Sequence, residues 1–201
     1  MPKRPKMTSP KGTAVWPWLN EPNTQFDENG VYAVTLRVDA EEAAGFIEKL
    51  KAHFKDEYRN ECNKQKKKQL KVAGMPWSNH EDDQGNSTGL VDFKFKTKAK
   101  YEYDGKTIDN RVVLVDGHRN PLTATVGGGS TIRVGFEPHV WFVASMGIGM
   151  TLRVKMVQVV NLIEYQGGGS TDDYDFDIEG EAVSGATTES ATDGVNDNFD
   201  F

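Results

Sequence analysis

Phe93-Lys94-Phe95-Lys96-Thr97-Lys98-Ala99-Lys100-Tyr101 alternates without a break. Side chains on a strand point to opposite faces with period two. Phe93, Phe95, Thr97, Ala99 and Tyr101 therefore share one face, and Lys94, Lys96, Lys98 and Lys100 the other. Ammonium groups two residues apart on a strand are spaced about 6.5–7 Å, close to one nucleotide step in an extended single strand. A row of four at that pitch makes a rail for a phosphate backbone. The same row suits a solvated sheet edge, because lysines are a common device against edge-to-edge pairing. The stretch alone leaves both readings open, and the far end of the chain favours the rail.

On either side the pattern is mostly that of strands. Residues 1–11 form a Pro- and Lys-rich arm, in which Lys3, Arg4, Lys6 and Lys11 are phosphate contacts or a solubilising charge. Gly12 to Leu19 reads as a short first strand broken at Pro17, followed by a turn-forming stretch to Gly30. Val31 to Val38 is a strand rich in β-branched residues. Asp39 caps a helix, with Glu42 as its capping-box partner. Ala43, Phe46, Ile47, Leu50, Phe54 and Tyr58 then fall on one face of a helix from Ala40 to about Lys66. Its end is basic, with Lys64, Lys66, Lys67, Lys68 and Lys71, which suits a helix C-terminus. Val72 to Gly89 reads as a long loop. The lysine strand runs from about Leu90 to Tyr103 and turns at Asp104-Gly105, a strong hairpin signal. The return strand is Thr107 to Val115. Thr131 to Phe136 and Trp141 to Val143 are separated by Pro138. Met150 to Tyr165 is a long strand with Leu152, Val154 and Met156 on one face and Arg153 and Lys155 on the other.

About six strands carry one early amphipathic helix. Short connections favour an antiparallel barrel over a parallel α/β sheet. The expected fold is mainly β: an OB-fold, a five- to six-stranded Greek-key barrel with one capping helix. It spans residues 12–166.

The charge is split. Of 201 residues, 30 are acidic and 24 basic, a net −6. Residues 167–201 hold ten of the acids and no Lys or Arg, so they carry −10 and the rest carries +4. A basic body joined to an acidic tail suggests a nucleic-acid-binding domain with a polyanion of its own. Hydrophobic content of 37% against 27% charged is polar for a globular protein, so part of the chain is expected to be unfolded. Gly167-Gly168-Gly169-Ser170 reads as a flexible linker. Beyond it acids interleave with aromatics, and the sequence closes on Asp197-Asn198-Phe199-Asp200-Phe201. Acids ending in phenylalanine suggest a docking peptide, with Asp197, Phe199, Asp200 and Phe201 as its contacts. The same charge could lie on the lysine strand and compete with nucleic acid.

Several chemistries lack their motifs. One cysteine, Cys62, excludes an intramolecular disulfide and a Cys-based zinc site. Phosphate-loop, HExxH and GxSxG motifs are missing, and His53, His80, His118 and His139 show no ligand spacing. Asp82, Asp83 and Asp92 have no fixed metal spacing. The reading is therefore no enzyme, no metal and no cofactor. With no long apolar run and no h-region after the basic N-terminus, the expectation is no membrane span, no signal peptide and a cytosolic protein.

The chain resembles the single-stranded DNA-binding proteins of short-tailed, T7-like bacteriophages. The residues that carry the resemblance are Gly12-Thr13-Ala14, Gly30-Val31-Tyr32, Met75-Pro76, Phe93-Lys94-Phe95-Lys96, Val112 to Asp116, Gly127-Gly128-Gly129-Ser130, Pro138 to Trp141, Gly167 to Gly169 and Asp200-Phe201. Their joint order spans nearly the whole chain. The resemblance implies an OB-fold, a homodimer, a role in replication and recombination, and annealing of complementary strands, in the host cell cytoplasm. It implies an acidic tail that contacts the phage DNA polymerase and helicase-primase. It puts Lys96 on a DNA-contact position. Two positions depart from the family pattern: Lys98 stands where that pattern has an aromatic, and His139 where it has a tyrosine. Stacking on bases is then expected of Trp141 or Trp77, with His139 as a weaker platform, although Trp141 also reads as core. The helix precedes the third strand, unlike the usual OB order.

The expected function is sequence-independent single-stranded DNA binding, with lysines tracking phosphates and aromatics stacking bases. The alternative is an adaptor or scaffold whose tail recruits partners, with the lysines as edge protection.

Overall fold

A computed structural model of the chain describes residues 4–165. Lys3 and the acidic tail, with Asp197, Phe199, Asp200 and Phe201, lie outside the described residues. In chain order the elements are β1 (Met7–Thr8), β2 (Gly12–Asn23), β3 (Val31–Asp39), α1 (Ala40–Lys64), β4 (Trp77–Glu81), β5 (Ser87–Lys98), β6 (Lys100–Tyr103), β7 (Lys106–Asp109), β8 (Val113–Val115), β9 (Thr131–Val143) and β10 (Gly147–Asn161).

Five strands close a ring. β2 pairs with β3, β3 with β5, β5 with β10, β10 with β9, and β9 returns to β2 at Gly12 and Thr13. All are antiparallel except β5–β10. That order, with the third and fifth ring strands parallel, is the OB-fold barrel. β1, β4 and β8 add to the rim, and β6–β7 form a separate hairpin.

The lysine strand packs as its alternation requires. Phe93, Phe95, Thr97 and Ala99 are buried while Lys94, Lys96, Lys98 and Lys100 are exposed. The buried face meets Leu36, Phe136, Leu152 and Val154 in the core. α1 lies over the barrel, its Phe46 ring 5.0 Å from Phe93 and 5.7 Å from Phe136. Fully burying each such side chain contributes about 1.5–3 kcal/mol. Asp39 caps α1 by accepting from the Glu41 backbone N–H. Glu42 does not bond back to it, so the cap works without the reciprocal half of the box.

Several expectations change. Among the described residues the strands number ten, of which five close the expected barrel. The stretch from Val72 to Gly89 is only partly loop, because Trp77–Glu81 pairs with β5 around a turn pinned by Asp82 and Asn86. Pro138 does not interrupt its strand. β9 runs through it opposite Leu152, and beyond Phe136 β9 has a pairing partner, β10, on one side only, the edge position that tolerates a proline. The lysine strand ends at Lys98. Ala99 donates to Gly30 and accepts from Asn110, which swings Lys100–Asp109 out as a hairpin turning at Asp104-Gly105, both at positive φ. Tyr101 consequently leaves the buried face and is 46% exposed.

Candidate nucleic-acid interface

β5 is not an edge strand. β3 pairs along its length on one side, and β4 and β10 pair on the other. β4 stops at Phe93 and β10 meets β5 at Phe95, so Lys94 guards no open ladder and the edge reading keeps its force only beyond Lys96. The ladder group left over at the end of β5, the Lys98 carbonyl, accepts from the Asn110 side chain at 2.7 Å.

On the outer face of β5, β10 and β9 lies a groove of about 690 Å³. Five cations line it: Arg4, Lys96, Lys98, Arg153 and Lys155. Three aromatic rings line it too: Tyr101, His139 and Trp141. The register explains the meeting. Leu152 on β10 stands beside Phe95, both inward, so Arg153 and Thr151 come out beside Lys96. Thr151 in turn pairs with His139 on β9. Asn110 fixes Lys155 by accepting from its ammonium at 3.3 Å, while donating to the Thr97 hydroxyl at 3.0 Å.

Trp141 faces out. Its neighbours Val140 and Phe142 are the ones packed against the core. The indole lies flat over Gly149, where any Cβ would run into the ring, and its N–H donates to the Thr151 hydroxyl at 3.1 Å. A ring held in this way offers a face without losing side-chain freedom on contact.

The groove's one carboxylate, Asp27, sits 3.4 Å from the Lys98 ammonium. Its pKa is lowered first by the Asn29 backbone N–H; partial burial opposes this, and Lys98 lowers it further, so it stays charged. His139 is pushed down to about 4 by burial first and by Arg153 and Arg4 next. Its imidazole is neutral at physiological pH and serves as a flat polar ring rather than a cation. Burial and Arg4 also lower Arg153, as expected where cations crowd with too little counter-charge.

The low His139 pKa carries a stability prediction. A group whose folded pKa lies below its unfolded value of about 6.5 binds fewer protons folded than unfolded between the two. Stability is then full above pH 6.5 and falls as pH drops toward 4. His139→Gln should show a shallower fall in melting temperature over that window. Equal slopes for the two proteins would contradict the placement of His139.

Other expected site residues lie elsewhere. Lys94 is on the outer face of β5 in register with Thr35, outside the groove. Lys100 is on the hairpin opposite Asp109. Trp77 stands opposite Phe93, partly buried against the core. Asp92 makes a two-pronged pair with Arg37 at 2.8 and 3.0 Å, and Asp82 holds its own turn. A second hollow of about 500 Å³ beside the end of α1 holds Arg59, Lys66, Lys67 and Lys68. Its one aromatic ring, Tyr58, has its hydroxyl tied to the Leu70 backbone. Sequence reading missed Arg153, Lys155 and Tyr101 as groove residues. The outward alternation of Arg153 and Lys155 was visible; that β10 lies beside β5 was not.

A closed OB barrel with a cationic, aromatic-lined groove across its strands has the architecture of a single-strand-binding module. Residues 13–162 match the family model described as single-stranded DNA-binding protein, bacteriophage T7. The chain belongs to that family. Its fold is similar to that of gp2.5, a single-stranded DNA-binding protein encoded by bacteriophage T7, with TM-score 0.69 and 21% identity over 90% of this chain and 100% of that one. It is also similar to the single-stranded DNA-binding protein from bacteriophage Enc34 in complex with ssDNA, with TM-score 0.58 and 13% identity over 81% of this chain and 89% of that one. No curated protein matches it in sequence. Among the described residues, no helix is long and apolar enough to cross a membrane.

Proposed function

We propose that the protein binds single-stranded DNA without sequence preference, in the groove between β5, β9 and β10. The observation that carries this reading is the convergence of five cations and three aromatic rings on one open surface. Cations neutralise phosphates and release counterions. Ring faces stack on any base, which makes binding tolerant of sequence. The Asn110 amide is already spent on Thr97, Lys98 and Lys155 rather than free for a base edge, which favours weak discrimination between bases. Lys96, Lys98, Arg153, Lys155 and Arg4 take phosphates, with Lys3 beside Arg4 in sequence. Trp141 stacks, and His139 and Tyr101 support it.

The wider role is replication, recombination and strand annealing of a phage in its host cell cytoplasm, as a homodimer and without catalysis of its own. Residues 167–201 act as an acidic tail that docks the phage DNA polymerase and helicase-primase through Asp197, Phe199, Asp200 and Phe201. Between dockings the tail competes with DNA for the groove. Family membership and the charge split support this part.

Titration with single- and double-stranded oligonucleotides tests the reading. Single strands should bind tighter, with steep salt dependence. Equal affinity for the duplex, or none for either, would count against it. The competing adaptor reading predicts no DNA binding at all.

Asp27 yields a sharper expectation. Its carboxylate holds Lys98 where a phosphate would sit. Asp27→Asn should tighten single-strand binding several-fold at low salt and leave Tm nearly unchanged, since Lys98 is exposed, Asp27 is partly so, and ion pairs open to solvent contribute little. Weaker binding by this variant would mean that Asp27 positions Lys98 rather than occupying it.

A further inference from the structure

β2 carries a fault with a consequence for the binding surface. Ala14 faces the core, so strict alternation would send Trp16 and Trp18 inward with it. Instead Leu19 is the next buried residue. Val15 pairs with Thr35 and Trp18 with Ala33, three steps on β2 against two on β3. One extra residue on one strand is a β-bulge, and it exchanges the two faces of everything beyond it. The extra residue shows strain: Trp16 has φ +49 and is 82% exposed. That region is an outlier for a bulky side chain, and such strain persists where the surrounding structure over-determines it.

What the bulge achieves is the placement of Trp18. It comes out on the barrel's outer face, 47% exposed. It stands in register with Ala33, which stands in register with Lys96. Two strand spacings of about 4.8 Å separate the indole from the groove's central lysine, and the side chain between them is a methyl group. One outer belt thus runs His139, Thr151 and Arg153, Lys96, Ala33, Trp18 across five neighbouring strands. The row toward the start of β2 is different. There Arg37 is neutralised by Asp92, so the positive strip ends beside Lys94 and the open direction from Lys96 is toward Trp18.

We propose that Trp18 is a second base-stacking station, reached by a strand that leaves the groove over Ala33, and that the strained bulge at Trp16 exists to present it. The proposal rests on the reading of the groove as a single-stranded DNA site. It makes the bound strand cross the barrel perpendicular to its strands, with aromatic rings at both ends and cations between.

The test uses the full chain with oligo-dT of two lengths: about five nucleotides, to fill the groove, and about sixteen, the upper range for one OB-fold. Trp18→Ala should lower affinity for the long oligonucleotide about tenfold, the usual scale for one lost stack. Affinity for the short one should stay unchanged, and Trp18→Phe should retain most of the long-strand affinity. An unchanged long-strand affinity in Trp18→Ala overturns the proposal, as does an equal loss at both lengths. If the groove reading itself fails, Lys96→Ala with Arg153→Ala leaves the affinity for both lengths unchanged, a result separate from that of Trp18→Ala, and the proposal falls with it. A Trp18→Ala protein that sediments as a smaller species without DNA, while keeping its long-strand affinity, would make the platform a contact between copies and also overturn it.

Discussion

Alanine at Lys96, Lys98, Arg153 and Lys155 together is expected to lower single-stranded DNA affinity about a hundred- to a thousandfold near 0.1 M salt. Each phosphate neutralised on a single strand contributes about −0.7 to the slope of log affinity against log salt. Losing four contacts should flatten that slope by about 3. All four side chains point out from the barrel and line one groove, so the protein should fold and melt normally. The comparison that gives the experiment its force is Lys94→Ala with Lys100→Ala. These two lysines share the alternation of the stretch but not the groove, and removing them should change the slope little. If both sets flatten it equally per charge, DNA follows the length of β5 rather than crossing to β10. If neither does, the groove is not the phosphate track.

Truncation after Tyr165 is expected to tighten DNA binding about tenfold at low ionic strength. The body carries +4 and residues 167–201 carry −10, so the two attract even before they are joined. A short connection such as Gly167–Ser170 raises the tail's local concentration to the millimolar range. DNA has to displace it. The difference between full-length and truncated protein should vanish toward 1 M salt, where the Debye length is about 3 Å. The same truncation should abolish recruitment of a polymerase or helicase-primase, since it removes Phe199 and Phe201. Phe201→Ala should reduce recruitment yet leave DNA affinity nearly unchanged, because it removes no charge. Equal DNA affinity for the two lengths at low salt would exclude competition. Undiminished partner binding by the truncated protein would exclude docking.

How far the sequence alone reached depends on the range of the interaction that decides each feature. The lysine strand, the Asp39 cap, the helical face from Ala43 to Phe54 and the Asp104-Gly105 turn are local. Their period or turn chemistry sits within a few residues, and each stands in the structure. β4 was missed because Trp77-Ser78-Asn79-His80-Glu81 has no strand pattern of its own; it is a strand because β5 offers it a ladder. Tyr101 was assigned to the buried face because alternation was carried past Ala99, where backbone bonds to Gly30 and Asn110 break the strand. Of the site, Lys96, Lys98, Arg4, His139 and Trp141 do meet in the groove. Arg153 and Lys155 join them only through the parallel pairing of β5 with β10, more than fifty residues apart in sequence. The bulge at Trp16 left no sign in a segment where aromatics and proline obscure the alternation.

The central claim, that the groove between β5, β9 and β10 holds the strand, is tested most directly by photocrosslinking the full-length protein to 5-iodouracil-substituted oligo-dT and sequencing the adducts. Crosslinks at Trp141, His139 and Tyr101, suppressed by high salt, are the predicted result. Crosslinks confined to the basic hollow at Tyr58, or to none of the three groove rings, would contradict it.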